Sequence, residues 1–240
     1  MGNTNPLSDT EIKGIIFDYG GTIDTRGDHW SHVIREGWRR AGVEADDETF
    51  RVCYVEGERA LARERIILPG DNFSALMDKK LVIEFRHLAM MGGIDSDEIE
   101  AKARVAAGYC YEYAHECVAE AAEVLKRLAE RYPMVLVSNF YGNVDEVIRD
   151  FGIRKYFQGI IESAVVGVRK PDARIFRLGV VALGLNPDEV LVVGDSLRKD
   201  ILPARSIGCK TAWIKGRGWD EKEDALTDEA QIPALSTLLS

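Results

Sequence analysis

The sequence predicts an α/β protein: a doubly wound parallel sheet with a block of helices inserted near its start. Three observations carry that expectation. Short apolar runs rich in β-branched residues, too short for helices, stand at Ile15-Ile16-Phe17, Met134-Val135-Leu136-Val137 and Val190-Leu191-Val192-Val193. From residue 134 onward such runs alternate with helical periodicity, the rhythm of a parallel sheet covered on both faces. Between the first run and the second, about 90 residues carry helical spacing and no strand signal.

In chain order, the first run breaks at Asp18, and Gly20-Gly21 then permits unusual dihedrals and close ligand approach. Val33, Ile34 and Trp38 share one face of a first helix that ends near Gly42. Phe50, Cys53, Tyr54 and Leu61 mark a second, running towards Pro69-Gly70. Phe73, Leu76, Met77, Leu81, Phe85 and Leu88 mark a third, stopped by Gly92-Gly93. Asp95 with Glu98 three residues on reads as a capping box for a fourth, carrying Ile99, Val105, Tyr109 and Tyr113. Residues 118–131 form a separate amphipathic helix before the second strand. Residues 144–151 are helical, 159–161 a short strand, and Asp172 caps a helix reaching residue 183. A helix over 201–207 and a strand over 211–214 follow the third strong run. The tail beyond Gly216 is acidic and turn-rich, with a last apolar segment at 232–239. The organisation expected is a core of residues 11–24 and 118–240 around a helical insertion of residues 25–117.

Composition narrows the function. A chain of 240 residues holds one large domain, or a core plus an insertion. Its formal charge of -9 argues against nucleic-acid or anionic-membrane partners. The four cysteines, Cys53, Cys110, Cys117 and Cys209, form no CxxC pair and no metal-ligand spacing with the four histidines, so they read as reduced thiols. Residues 1–10 are polar and lack the apolar centre of a signal peptide. No stretch approaches the roughly 18 apolar residues of a membrane span. The expected compartment is the cytoplasm.

The chemistry stands at the strand ends. Asp18, then Ser138-Asn139, then Asp195 with Asp200 five further on, all follow predicted strands. In a parallel sheet such ends share one edge, so residues distant in sequence converge on one crevice. Converging carboxylates and a glycine carbonyl form a hard, all-oxygen site that suits Mg²⁺ better than Zn²⁺. Lys170, held by Pro171, adds positive charge beside them. Acid, cation, hydroxyl and ammonium around one point describe phosphoryl transfer. Taken singly each part has a bland reading: Asp172 as a helix cap, Lys170 as a solvated charge, Ser138 as a turn. Their joint order is what carries the argument.

Four segments, Phe17-Asp18-Tyr19-Gly20-Gly21-Thr22-Ile23-Asp24, Val137-Ser138-Asn139, Arg169-Lys170-Pro171-Asp172 and Gly194-Asp195-Ser196-Leu197-Arg198-Lys199-Asp200, resemble in order the motifs of the haloacid dehalogenase-like hydrolase superfamily. The helical insertion matches that family's helical cap. The resemblance implies Asp18 as the nucleophile that becomes an aspartyl phosphate, with Lys170 beside it. It implies Mg²⁺ held by Asp18, the carbonyl of Gly20 and Asp195, supported by Thr22 and Asp200. Ser138, Asn139 and Lys170 would bind phosphoryl oxygens. Residues 26–30 fall where the family has a flexible entry to its cap.

One departure matters. Family phosphatases usually carry a second Asp two residues after the nucleophile, as acid for the leaving group and base for water; here that position is Gly20. Losing a positioned acid/base costs about 10²–10⁴-fold in rate. The expected function is therefore a Mg²⁺-dependent phosphatase of a small phosphorylated metabolite, with weak or specialised turnover. The alternative is a catalytically weak phospho-ligand-binding or partner-binding protein on the same fold. Dehalogenation needs no acidic fourth motif, so Asp195 and Asp200 argue against it. Within the insertion, Arg59, Arg63 and Arg65 read as a solvated helix face, and Tyr111 and Tyr113 as packing. Lys79, Lys80 and Lys102 lie in no recognisable motif.

Overall fold

The computed structural model describes residues 6–8 and 11–239. The polar stretch 1–10 lies largely outside them. Six strands, β1 (Gly14–Phe17), β2 (Met134–Ser138), β3 (Gly159–Glu162), β4 (Val190–Gly194), β5 (Lys210–Ile214) and β6 (Gln231–Ile232), form one sheet in the order β3-β2-β1-β4-β5-β6. Every neighbouring pair is parallel. β6 lies in the apolar tail segment, where two residues are too few to leave a periodic signal.

Alternation along the strands explains the two covered faces. Ile15, Phe17, Met134, Leu136, Leu191 and Val193 join one core, which continues into the helical insertion. Ile16, Val135, Val137, Val190 and Val192 turn to the other, packed under Ile175, Phe176 and Val180. Strands buried on both sides have no polar face to show, hence their unbroken apolar runs.

Between β1 and β2 lie four helices: α1 (Trp30–Arg40), α2 (Asp47–Arg63), α3 (Phe73–Met90) and α4 (Ile99–Ala129). The core then carries α5 (Val144–Asp150), α6 (Ser163–Val166), α7 (Arg174–Leu183), α8 (Leu202–Ser206) and α9 (Glu221–Asp224). Two expectations need correction. The separate helix over 118–131 does not exist, because α4 runs unbroken for 31 residues across the expected 117/118 boundary. Its buried stripe of Ala103, Ala106, Ala107, Cys110, Ala114, Cys117, Val118 and Ala121 is continuous. The capping box at Asp95 is half formed: Glu98 Oε2 accepts from the Asp95 N–H at 3.4 Å, but α4 starts at Ile99 without a side-chain cap. Asp172 does accept the Arg174 N–H at 2.9 Å and braces the start of α7 from two residues away. No helix among the described residues is long and apolar enough to cross a membrane.

Candidate active site

Parallel register puts the site together. Phe17 pairs with Leu136 and Val193, so Asp18, Ser138 and Asp195 emerge within two residues of one another at the carboxyl edge of β1, β2 and β4. The Asp18 N–H donates to the Val193 carbonyl at 2.9 Å and fixes its height. Beyond it, Gly21 has φ +92°, and a Cβ there would lie 2.4 Å from the Asp195 carboxylate. Only glycine fits that turn. Gly20 is different: a Cβ built on it meets nothing within 4 Å.

Asp18, Asp195 and Asp200 bring carboxylate oxygens within 4.8 Å of one another. Lys170 Nζ, buried, donates to Asp18 Oδ1 at 2.5 Å and to Asp200 Oδ1 at 2.6 Å. Burial works against the ammonium, but the two carboxylates hold its pKa above the ordinary lysine value. Asp200 Oδ2 accepts the Ser196 N–H at 3.1 Å, so this carboxylate anchors both Lys170 and the β4 loop. The Thr22 hydroxyl lies 3.2 Å from Asp18 Oδ2 and 3.1 Å from Asp195 Oδ1. It has one proton for two carboxylates. Burial, then repulsion from Asp18 and Asp200, pushes the Asp195 carboxyl well above the usual range. Three carboxylates against one ammonium leave two negative charges uncompensated, and a hard divalent cation fits that donor set.

Asn139, which the resemblance implies among the phosphoryl ligands, turns its side-chain amide to the Lys170 backbone. Its Nδ2 donates to the Lys170 carbonyl at 3.1 Å, and its Oδ1 accepts the Lys170 N–H at 2.9 Å. Its amide thus clamps the Lys170 backbone from both ends. Ser138 is buried at the end of β2 and lines the same cavity as Asp18 and Lys170.

That cavity, of about 540 Å³, extends from Asp18 to the helical insertion. Of residues 26–30, Gly27, His29 and Trp30 line it. Arg26 instead pairs with Glu120 at 2.7 Å and lies over the Tyr113 ring. Asp24, beneath Trp30, is pushed up to about 8 by burial, while accepting the Gly21 N–H at 2.6 Å. His29 Nδ1 accepts the Ser31 N–H at 3.2 Å, and burial pushes its pKa down to about 3, so the ring is neutral. The ring is 4.9 Å from Trp219 and 5.9 Å from Tyr54, centroid to centroid.

The insertion contributes Glu58 and Lys80, neither of which the sequence singled out as a site residue. Lys80 pairs with Glu58, whose Oε2 accepts from the Tyr141 hydroxyl at 2.9 Å. Lys79, one residue away, faces Asp71 instead, and Lys102 reaches Glu98. Tyr111 stacks on Phe151, and Arg59 and Arg63 pair with Glu56 on the surface, as their sequence context suggested.

A family model of haloacid dehalogenase-like hydrolases matches residues 12–208. The phosphoserine phosphatase of Thermus thermophilus is 38% identical over 63 residues, 26% of this chain and 25% of that protein. The glyceraldehyde 3-phosphate phosphatase of Methanocaldococcus jannaschii is 36% identical over 85 residues, 35% of this chain and 37% of that one. The chain thus spans about a quarter to two fifths of the length of these relatives. The solved HAD-hydrolase YfnB of Bacillus subtilis superposes with a TM-score of 0.60 at 19% identity, covering 95% of this chain and 96% of that one, and shares the fold. With its strand-end carboxylates, buried lysine and inserted helices, the chain belongs to the haloacid dehalogenase-like hydrolases.

Proposed function

We propose that this protein is a Mg²⁺-dependent phosphomonoester hydrolase working through an aspartyl phosphate on Asp18. The observation that carries the reading is the buried cluster of Asp18, Asp195 and Asp200 around Lys170, at one edge of the sheet. Asp18 attacks phosphorus, and the ester P–O bond breaks as the alcohol leaves; water then attacks phosphorus, releasing phosphate and regenerating Asp18. Lys170 and Ser138 would bind the phosphoryl oxygens. Asp200 and Asn139 keep Lys170 aimed, from its ammonium and its backbone respectively. Asp18, the Gly20 carbonyl and Asp195 would hold Mg²⁺, which supplies positive charge to the phosphoryl group.

Turnover is specialised because position 20 carries no acid. A binding protein with little catalysis is the reading that Gly20 alone would favour, and the same experiment separates the two. Phosphate release is measured with Mg²⁺ across aryl, acyl and alkyl phosphates. Release that disappears in Asp18→Asn, with a beryllium fluoride adduct forming on Asp18 of the wild type, supports the enzyme. Full activity in Asp18→Asn, or an adduct elsewhere, refutes it.

A further inference from the structure

We infer that Lys80, Glu58 and Tyr141 read the leaving group of the phosphate ester, and that this group is neutral and hydroxylated, a polyol or a sugar. The inference rests on the phosphatase reading above. All three residues line the cavity that contains Asp18. Lys80, on α3, keeps 4% of its side-chain surface, yet it pairs with Glu58 on α2 across the cavity wall. Its Nζ faces the Tyr54 ring 4.7 Å away. An ammonium has three donors, so with Glu58 as its acceptor among the described residues it retains donor capacity. Glu58 leaves 34% of its side chain open.

Charge decides what suits the site. The pair sums to zero, with the Glu58 carboxyl held low by Lys80 although burial raises it. A carboxylate placed at this pair draws Lys80 from Glu58 and then sits beside the Glu58 charge, whereas the other cations of the cavity, Arg198 and Lys199 among them, stand on the core side. An ammonium meets the mirror-image penalty. A hydroxyl accepts from Lys80, donates to Glu58 and leaves the balance intact. Trp219, half-buried against Tyr54 and lining the same cavity, offers apolar surface to the C–H side of a sugar. The reader is also tied to the phosphate end, because Tyr141 stands three residues beyond Ser138 on the same loop.

The test compares alkyl phosphates of similar leaving-group pKa, so that the missing acid at position 20 affects all alike. With Mg²⁺, kcat/KM for glycerol phosphate and ribose 5-phosphate should exceed that for phosphoglycolate and phospholactate, whose leaving groups carry a lone carboxylate, by about tenfold or more. Glu58→Gln keeps the side-chain shape and leaves the Lys80 charge uncompensated; it should move the ratio towards phosphoglycolate by about tenfold. Lys80→Met should move it the other way. A ratio taken within one protein cancels any loss of folded molecules. A wild type that prefers the carboxylate esters, or ratios unchanged in both variants, overturns the inference. Absence of phosphate release from every ester would instead refute the phosphatase reading. The same ratio, measured as dissociation constants of these esters on Asp18→Asn by calorimetry, then decides the reader independently.

Discussion

Gly20→Asp places a carboxyl at the position where the resemblance implies an acid in the family's phosphatases, and the local structure accepts it. A Cβ at residue 20 meets no atom within 4 Å, and only the neighbouring Gly21 carries the positive φ that resists side chains. The variant should therefore fold, unlike a substitution at Gly21, whose Cβ would strike Asp195. The new carboxyl lies near the Asp18 charge. At a separation of roughly 6 Å and an effective dielectric of about 20, two such charges repel by about 3 kcal/mol. That repulsion raises the new group above the ordinary carboxyl range, while Lys170 and a bound cation beside Asp18 oppose the rise. A positioned acid is worth about 10²–10⁴-fold, and an unrefined geometry should reach the lower end, about 10² on alkyl phosphates. Aryl and acyl phosphates, which need little proton assistance, should gain least. The assay is the slope of log kcat/KM against leaving-group pKa: steep in the wild type, flatter in Gly20→Asp, and unchanged in Gly20→Ala. Equal slopes in a folded, Mg²⁺-bound Gly20→Asp would mean that another group already delivers the proton, and that the absence of an acid at position 20 does not limit this protein.

Two further outcomes follow from the electrostatics. Asp195→Asn keeps the shape that meets Thr22 but removes one of the crowded charges. Calorimetry should show Mg²⁺ affinity down by about tenfold or more, and thermal denaturation without Mg²⁺ should show no loss of stability; equal affinity would remove Asp195 from the cation site. Glu84 is buried, its Oε2 accepting from Trp38 Nε1 at 3.1 Å while its Oε1 has no partner. Burial, partly offset by Lys80, pushes it up to about 8. The native state thus keeps a proton that the unfolded chain releases near pH 4.5, so stability falls as pH rises from about 4.5 to 8, by at most about 5 kcal/mol. Glu84→Gln retains the acceptor for Trp38 and should flatten that decline in chemical denaturation at pH 5, 6, 7 and 8. A decline of the same steepness in the variant would mean that another group is responsible.

The strand ends were legible because each is a local event. An apolar run stops at Asp18, Ser138 or Gly194-Asp195, and parallel register then does the gathering without further instruction. Lys170 was legible from its Pro171 neighbour and its place in the order. Glu58, Lys80 and Tyr141 were not, since they lie 22 and 61 residues apart and meet only through the packing of α2 on α3 and of the β2 loop on both. Nothing in helical periodicity separates a lysine that faces a cavity from Lys79, which faces Asp71. Asn139 was placed beside the phosphoryl group by its position next to Ser138; that its side-chain amide also holds the Lys170 backbone depends on where Lys170 comes to rest, which no local pattern shows. The false break in α4 has a simpler cause. No proline or glycine pair stands near residue 117, so the two periodic segments had no reason to part.

The connection from the nucleophile to the insertion bears on how such a site selects its substrate. The resemblance implied a flexible entry at residues 26–30, but here the stretch is stitched at both ends. The Gly27 N–H donates to the Gly21 carbonyl at 2.7 Å, and the His29 N–H to the Arg217 carbonyl at 2.8 Å. Asp28 accepts the Arg217 N–H at 2.8 Å and pairs with its guanidinium at 2.5 Å. Trp30 closes the stretch by donating to Asp24 at 3.1 Å. Each exposed contact contributes little, about 0–1 kcal/mol, but together they fix His29 and Trp30 relative to Asp18. The wall nearest the nucleophile is thus held from the core side, by the loop after β5. The far wall, where Glu58 and Lys80 ride on α2 and α3, meets the core through the Tyr141 hydroxyl, through Asn143, which donates to the Asp71 carbonyl at 2.8 Å, and through the packing of Tyr54 on Trp219 and Phe73 on Phe151. Recognition by hydroxyl exchange suits that wall, because a substrate hydroxyl offers Glu58 the same kind of donor that Tyr141 offers now.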